Sequence, residues 1–83
     1  MKSIKEASLE ERRIRALCAI ECLTYFLENN SLTAEEFSSK IYMISHVALN
    51  KCKNPHEDWL LEIEKIEKAG KESNIYDSEK YIN

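Results

Sequence analysis

The chain has 83 residues, enough for one small domain but with little room for a catalytic cleft beside its core. Hydrophobic residues make up 43% and charged residues 33%, the balance of a folded globular chain rather than a disordered one. A single Gly and a single Pro argue against a turn-rich β-sandwich or barrel and against glycine-rich phosphate loops. A net charge of −3 argues against a dedicated nucleic-acid-binding protein.

The sequence also bears on the compartment. No apolar run approaches the ~20 residues of a membrane span, and the first residues lack the apolar core of a signal peptide. Three cysteines, an odd number, favour reduced thiols. We therefore expect a cytoplasmic protein with no membrane contact.

The first helix-start signal is Ser8-Leu9-Glu10-Glu11. Ser8 can accept from the backbone N–H of Glu11, while the Glu11 side chain can reach back to the N–H of Ser8. With the apolar period that follows, this signal predicts a helix over 9–28.

The second signal is Thr33-Ala34-Glu35-Glu36, which is again a capping box. Leu32 and Phe37 stand on either side of the cap at the spacing of a hydrophobic staple. The pattern predicts a helix over 34–52.

The third signal is Asn54-Pro55-His56-Glu57, an Asn cap followed by Pro at the first helical position. It predicts a helix over 55–69, with Gly70 as the left-handed residue just past its end. The tail 71–83 is polar but contains four apolar or aromatic residues, and it either docks as a short fourth helix from Asp77 or stays loose. The four are Ile75, Tyr76, Tyr81 and Ile82.

Short connections make consecutive helices antiparallel or tightly angled neighbours. The predicted fold is therefore all-α: a single domain over 1–83 that forms an up-down-up three-helix bundle with a C-terminal tail.

Helical spacing assigns one face of each helix to the core. In the first helix these residues are Leu9, Ala16, Ala19, Ile20, Leu23, Phe26 and Leu27. In the second helix they are Phe37, Ile41, Ile44, Val47, Ala48 and Cys52. In the third helix they are Trp59, Ile63 and Ile66, and the Glu64–Lys68 and Glu67–Lys71 spacings predict a solvent-exposed opposite face.

The first and second helices each carry a further apolar stripe. The one on the first helix contains Ile14, Cys18, Cys22 and Tyr25, with Leu17 near it. The one on the second helix contains Tyr42, His46 and Leu49. This is more apolar surface than one three-helix core needs, so it predicts a protein partner, a second copy or cover from the tail.

Candidates for chemistry are few. Cys18 and Cys22 share a helical face, and Cys52, His46 and His56 are the other residues that could complete a zinc site. The cysteines are more simply small buried residues, and Cys52 lies near a helix C-terminus, where the dipole disfavours a thiolate. We expect no metal, no cofactor and no enzymatic activity.

The one basic cluster contains Arg12, Arg13 and Arg15. It permits a weak nucleic-acid-binding hypothesis, although a DNA-reading helix would carry basic and amide residues of its own, whereas the third helix opens with Glu57 and Asp58. The alternative is that these arginines are solvated or pair with Glu10, Glu11 or an acidic partner.

Residues 25–37 read YFLENNSLTAEEF, a helix end, a short turn, a Thr cap with acidic residues, and a staple Phe. This segment resembles a pattern in immunity proteins against tRNA-cleaving bacteriocins of the colicin D kind. Those are small acidic helical proteins that cap the basic active site of a toxin. The resemblance implies an inhibitor of a basic nuclease, and it carries no individual contact residue over to this chain.

The leading hypothesis is a small protein-binding module that inhibits another protein or acts as an adaptor for it, as an immunity, antitoxin-like or phage-encoded inhibitor does. Its partner would be a basic nuclease or nucleic-acid-binding protein, contacted by Tyr42, His46 and Leu49 with Glu35 and Glu36 at the rim. The alternative is an obligate homodimer, a structural or regulatory subunit that pairs through the stripe on the first helix. Weak nucleic-acid binding through the arginines is the third possibility.

Overall fold

The computed structural model describes residues 3–50 and 57–74, and this part of the chain folds into three α-helices with no strand. These are α1 (Leu9–Glu28), α2 (Ala34–Ala48) and α3 (Glu57–Glu72). The predicted all-α three-helix bundle is confirmed. None of the described helices combines the length and apolar character needed to cross a bilayer.

Several sequence predictions lie outside the described residues. They are the third helix start at Pro55, the roles considered for Cys52 and His56, and the two alternatives for the tail beyond Asn74.

The starts of α1 and α2 fall at the predicted caps, although only Thr33 forms the complete capping box predicted for both. The Ser8 hydroxyl accepts from the backbone N–H of Glu11 at 3.2 Å. At the start of α2 both bonds of the capping box form: the Glu36 N–H donates to the Thr33 hydroxyl, and the Thr33 N–H donates to the Glu36 carboxylate, each at 3.1 Å. These bonds satisfy backbone donors that a helix N-terminus otherwise leaves without partners.

Each of the three helices is followed by an asparagine in the left-handed conformation. Asn30, Asn50 and Asn74 follow α1, α2 and α3 with φ of 64°, 54° and 56°, because asparagine enters the left-handed region more readily than most side chains do. The prediction that Gly70 ends the third helix was wrong, since Gly70 is buried within α3 and the helix continues to Glu72. The second helix ends at Ala48, earlier than predicted, and the backbone turns at Asn50.

The core lies where the three helices meet and includes one residue from the N-terminal segment. Its buried members are Ile4, Ala16, Ala19, Cys22, Leu23, Met43, Ile44, Val47, Leu60, Ile63 and Ile66. Ile4 belongs to none of the predicted helices or core faces, yet it is fully buried. Its backbone N–H donates to the Glu64 carboxylate at 3.3 Å and its carbonyl accepts from the Arg12 guanidinium at 3.0 Å, so these two bonds tie the segment to α1 and α3.

A buried ion pair connects α1 to α3. Arg15 and Glu67 are only 3% and 7% exposed, and the guanidinium donates two hydrogen bonds to the carboxylate, from Nε to Oε2 at 2.8 Å and from Nη2 to Oε1 at 2.7 Å. Burial lowers the pKa of Arg15, but the hydrogen bonds and charge of Glu67, with added charge from Glu64 and Glu11, outweigh it and raise the pKa overall. The prediction that Glu67 lies on a solvent-exposed face was therefore wrong.

Replacing one member of this pair should destabilise the fold strongly. Arg15→Met or Glu67→Leu alone leaves the opposite charge buried without its partner, so we expect each to lower the free energy of unfolding by about 3–5 kcal/mol. The double variant Arg15→Met/Glu67→Leu should recover most of that loss, because an apolar pair of similar volume needs no counter-ion. Urea unfolding followed by circular dichroism measures all three.

The exposed pair between Lys5 and Glu57 is the control for this series. Glu57→Gln should cost at most about 1 kcal/mol, because solvent screens that pair. Single-variant losses that simply add in the double variant would contradict a coupled pair.

Candidate protein-binding site

One face of α2 carries the strongest apolar exposure on that helix. Tyr42 is 61% exposed and Leu49, the C-cap residue just past the end of α2, is 59% exposed, while His46 between them is half-buried. At helical spacing, Glu35 lies on the same face, about two turns before Tyr42. We call this set, Glu35, Tyr42, His46 and Leu49, the α2 face. The structure therefore brings four of the five predicted contact residues onto one surface.

Ring contacts hold the centre of the α2 face in place. The ring centroids of Tyr42 and His46 are 4.2 Å apart, and those of His46 and Trp59 on α3 are 5.8 Å apart with the two ring planes nearly perpendicular, at 79°. Nδ1 of His46 lies 3.0 Å from the Tyr42 carbonyl, which can only accept, so Nδ1 is the donor of this hydrogen bond. The described residues give Nε2, the other ring nitrogen, no hydrogen bond.

Trp59 extends this surface from α2 onto α3. We expected Trp59 among the core residues of the third helix, but it is half-buried at the edge of the core, against His46. The apolar period of α3 predicts the face of the helix on which Trp59 lies. The period cannot predict which residue of another helix Trp59 contacts.

The two acidic residues of the first turn of α2 have different environments. Glu35 lines a shallow open groove of about 560 Å³ with Ala34, Ser38, Ser39 and Tyr42. Glu36 instead caps the helix and lines a separate depression with the α1–α2 turn. Its pKa lies below the ordinary value because its carboxylate accepts the backbone N–H of Thr33, with a further contribution from the Thr33 side chain. Only Glu35 borders the Tyr42 groove.

The lowered pKa of Glu36 makes part of the stability depend on pH. The ionised carboxylate stabilises the fold fully above its ordinary pKa of 4.5, and this contribution is lost as the pH falls through the lowered pKa of the folded state. Glu36→Gln should therefore be less stable than the wild type at neutral pH, and the difference should vanish by about pH 2. Urea unfolding at both pH values measures it.

Glu35→Gln is the matched control, because it removes a carboxylate from the same turn without touching the cap. It should change the free energy of unfolding less than Glu36→Gln does. A Glu36→Gln difference that persists unchanged in acid would show that the cap does not act through the carboxylate charge.

The residues predicted for self-association do not share one exposed surface in the structure. Tyr25 is 49% exposed and Ile14 is half-buried, but Cys18 and Cys22 are buried. Cys22 lies in the core, where its Sγ–H points to the Ile66 carbonyl at 3.7 Å. The Cys22 side chain therefore lies against α3 and not on an outer surface. Leu17, placed only near this stripe by the sequence, is 67% exposed.

The environment of Cys22 also bears on reactivity. Burial raises the pKa of its thiol to about 11, so the sulfur stays protonated near neutral pH and is a poor nucleophile and a poor metal ligand. Within residues 3–50 and 57–74, no three His, Cys, Asp or Glu side chains gather closely enough to hold a metal ion.

The three arginines of the basic cluster bind carbonyl or carboxylate groups of the chain itself. Arg15 is buried against Glu67, which corrects the expectation that it is solvated or pairs with Glu10, Glu11 or an acidic partner. Arg12 donates to the carbonyls of Ile4 and Lys5 at 3.0 and 2.8 Å. Arg13 donates from Nε to the Ala48 carbonyl at 3.0 Å, at the end of α2. These bonds occupy donors that phosphate contacts would require.

Comparisons of this chain with protein-family models, with curated proteins and with solved structures find no match. The resemblance of residues 25–37 to colicin D-type immunity proteins stays a prediction. Those residues form the end of α1, the turn and the start of α2, with Leu32 and Phe37 packed against the core.

Proposed function

We propose that this chain is a small, non-enzymatic, cytoplasmic protein-binding module that inhibits another protein, or acts as its adaptor, by covering part of its surface with the α2 face. The observation that carries the proposal is the exposure of Tyr42 on α2, 61%, and of the C-cap residue Leu49, 59%, while the other side of α2 is packed in the core. Large apolar side chains gathered on one exposed face are typical of protein interaction sites.

Side chains of the α2 face are held in place before a partner binds, which favours tight binding. The ring of Tyr42 contacts that of His46, which in turn contacts Trp59, so the central rings lose little freedom when a partner binds. Aromatic anchors that are held in place before binding are typical hot spots of protein interfaces. His46 adds a polar contact through Nε2 beside an apolar surface.

The charge of the chain favours a basic partner. Glu35 lies on the α2 face, and the whole chain has a net charge of −3. An acidic surface accelerates the encounter with a basic one, and it repels acidic competitors. A basic nuclease or nucleic-acid-binding protein is the class of target that fits, in agreement with the resemblance of residues 25–37 to nuclease immunity proteins.

The size of the chain sets the extent of this contact. A standard interface buries about 800 Å² on each partner, roughly a seventh of the 5576 Å² of accessible surface here. We therefore expect the partner to extend beyond Tyr42 and Leu49 onto Trp59 and the groove beside Glu35. Inhibition would follow from occlusion of the partner's own site, with no chemical step on this chain.

The decisive variant is Tyr42→Ala/Leu49→Ala. Both side chains are mostly solvated in the free protein, so helicity should stay at the wild-type level while partner binding weakens by at least about a hundredfold, in line with the loss of two hot-spot residues. Affinity capture from the native host with quantitative mass spectrometry identifies candidates. Surface plasmon resonance on the purified partner and an assay of its activity then measure binding and inhibition.

Tyr25→Ala/Leu17→Ala is the matched control, because it removes the same two residue types from an exposed part of α1. It should leave capture and inhibition by the α2 face intact. Loss of the fold in Tyr42→Ala/Leu49→Ala would place these residues in the core, and unchanged binding would exclude the α2 face as the contact.

A further inference from the structure

A continuous stripe of side chains runs along the side of α1 that faces away from the core. Its spacings of three and four residues keep it on one helical face. Arg15 and Cys22, which contact α3, lie on the other side of the helix. The stripe consists of Glu10, Ile14, Leu17, Glu21, Tyr25 and Glu28; we call it the α1 stripe.

The apolar part of the α1 stripe forms a groove. It has a volume of about 340 Å³ and is lined by Ile14, Leu17, Cys18 and Glu21. Cys18 is buried at its base, while Leu17 is 67% exposed, the largest exposed fraction among the large hydrophobic side chains described. An apolar helix face of this kind fits the apolar side of another helix.

The charged part of the α1 stripe is entirely acidic. Glu10, Glu21 and Glu28 are exposed, and the described structure gives none of them a side-chain hydrogen bond or an ion pair. The nearby Arg13 is turned towards the end of α2, where it binds the Ala48 carbonyl. Within residues 3–50 and 57–74, none of these three carboxylates forms an ion pair with a basic side chain.

We propose that the α1 stripe binds a cationic amphipathic helix of another protein. The apolar side chains of that helix occupy the groove at Ile14 and Leu17, and its lysines or arginines lie opposite Glu10, Glu21 and Glu28. This surface is separate from the α2 face and does not depend on it. The protein then carries two binding surfaces and can bridge two partners.

Charge favours this occupant over a second copy. Two copies that pair through the α1 stripe would bring six carboxylates together without a base on either stripe, because each copy contributes Glu10, Glu21 and Glu28. A cationic helix instead neutralises them. Residues 75–83 do not supply that charge, since their sequence has one lysine, Lys80, against Asp77 and Glu79.

The test uses a synthetic, fluorescein-labelled 18-residue peptide with leucines at helical spacing and lysines beside them, and fluorescence anisotropy with the full chain. A second peptide has glutamate in place of every lysine. The lysine peptide should bind and the glutamate peptide should not. Glu21→Lys should weaken binding at least about tenfold, and Leu17→Asp should abolish it, because these variants reverse the charge and the polarity of the groove.

The control for charge is Glu35→Lys, which changes the net charge of the chain equally but lies on α2. It should weaken peptide binding much less than Glu21→Lys does. Tyr42→Ala/Leu49→Ala should bind the peptide like the wild type, so failure at the α1 stripe can be told apart from failure at the α2 face.

Three results would overturn the proposal. The first is absent peptide binding, or equal losses from Glu21→Lys and Glu35→Lys, which would indicate non-specific attraction. The second is a wild-type dimer in sedimentation equilibrium that Leu17→Asp dissociates, which would make a second copy the occupant. The third is a monomer whose thermal stability Leu17→Ala lowers, which would mean that the chain covers its own groove, because Ala favours a helix at least as well as Leu does.

Discussion

The buried pair of Arg15 and Glu67 determines how α1 is rotated against the rest of the bundle. Both side chains are almost completely excluded from solvent and are joined by two short hydrogen bonds, so neither can turn outward without leaving a charge buried alone. Leu17 follows Arg15 by two residues, a rotation of roughly 200° about the helix axis. It therefore points to solvent whenever Arg15 points to α3. The exposure of the α1 stripe is thus a consequence of an ion pair on the opposite side of the same helix.

The two exposed surfaces combine apolar and acidic residues in different ways. On α2 the apolar residues are ordered by ring contacts that reach α3, and Glu35 lies to one side. On α1 the carboxylates lie along the whole length of the stripe, and the groove is small. The first arrangement fits a broad surface that covers a site on a partner. The second fits a narrow helical segment whose charges repeat at helical spacing.

Local signals predicted the helices well, because capping residues and apolar periods act within a few positions. Ser8 and Thr33 mark the starts of α1 and α2, and the exposed positions of Tyr42 and Leu49 follow from the period of α2. The residues whose burial was predicted wrongly are those whose environment depends on contacts distant in sequence. Glu67 has the local spacing of an exposed helical pair with Lys71, and only the approach of Arg15 from α1 explains its burial. Glu36 is a different case, because its capping-box spacing from Thr33 is a local signal that already commits its carboxylate to the cap and away from the rim predicted for it.

The turn between α1 and α2 is bonded at successive residues. Asn30 adopts its left-handed conformation, the Ser31 N–H donates to the Phe26 carbonyl at 2.9 Å, and the Asn29 side chain also accepts from Ser31 at 3.1 Å. Leu32 then packs against the core before Thr33 caps α2. A connection held in this way gives α1 and α2 one relative orientation before any partner binds. This protein therefore loses little conformational entropy when a partner binds. The affinity of the complex then depends mainly on how well the partner's surface matches the surface that this protein already presents.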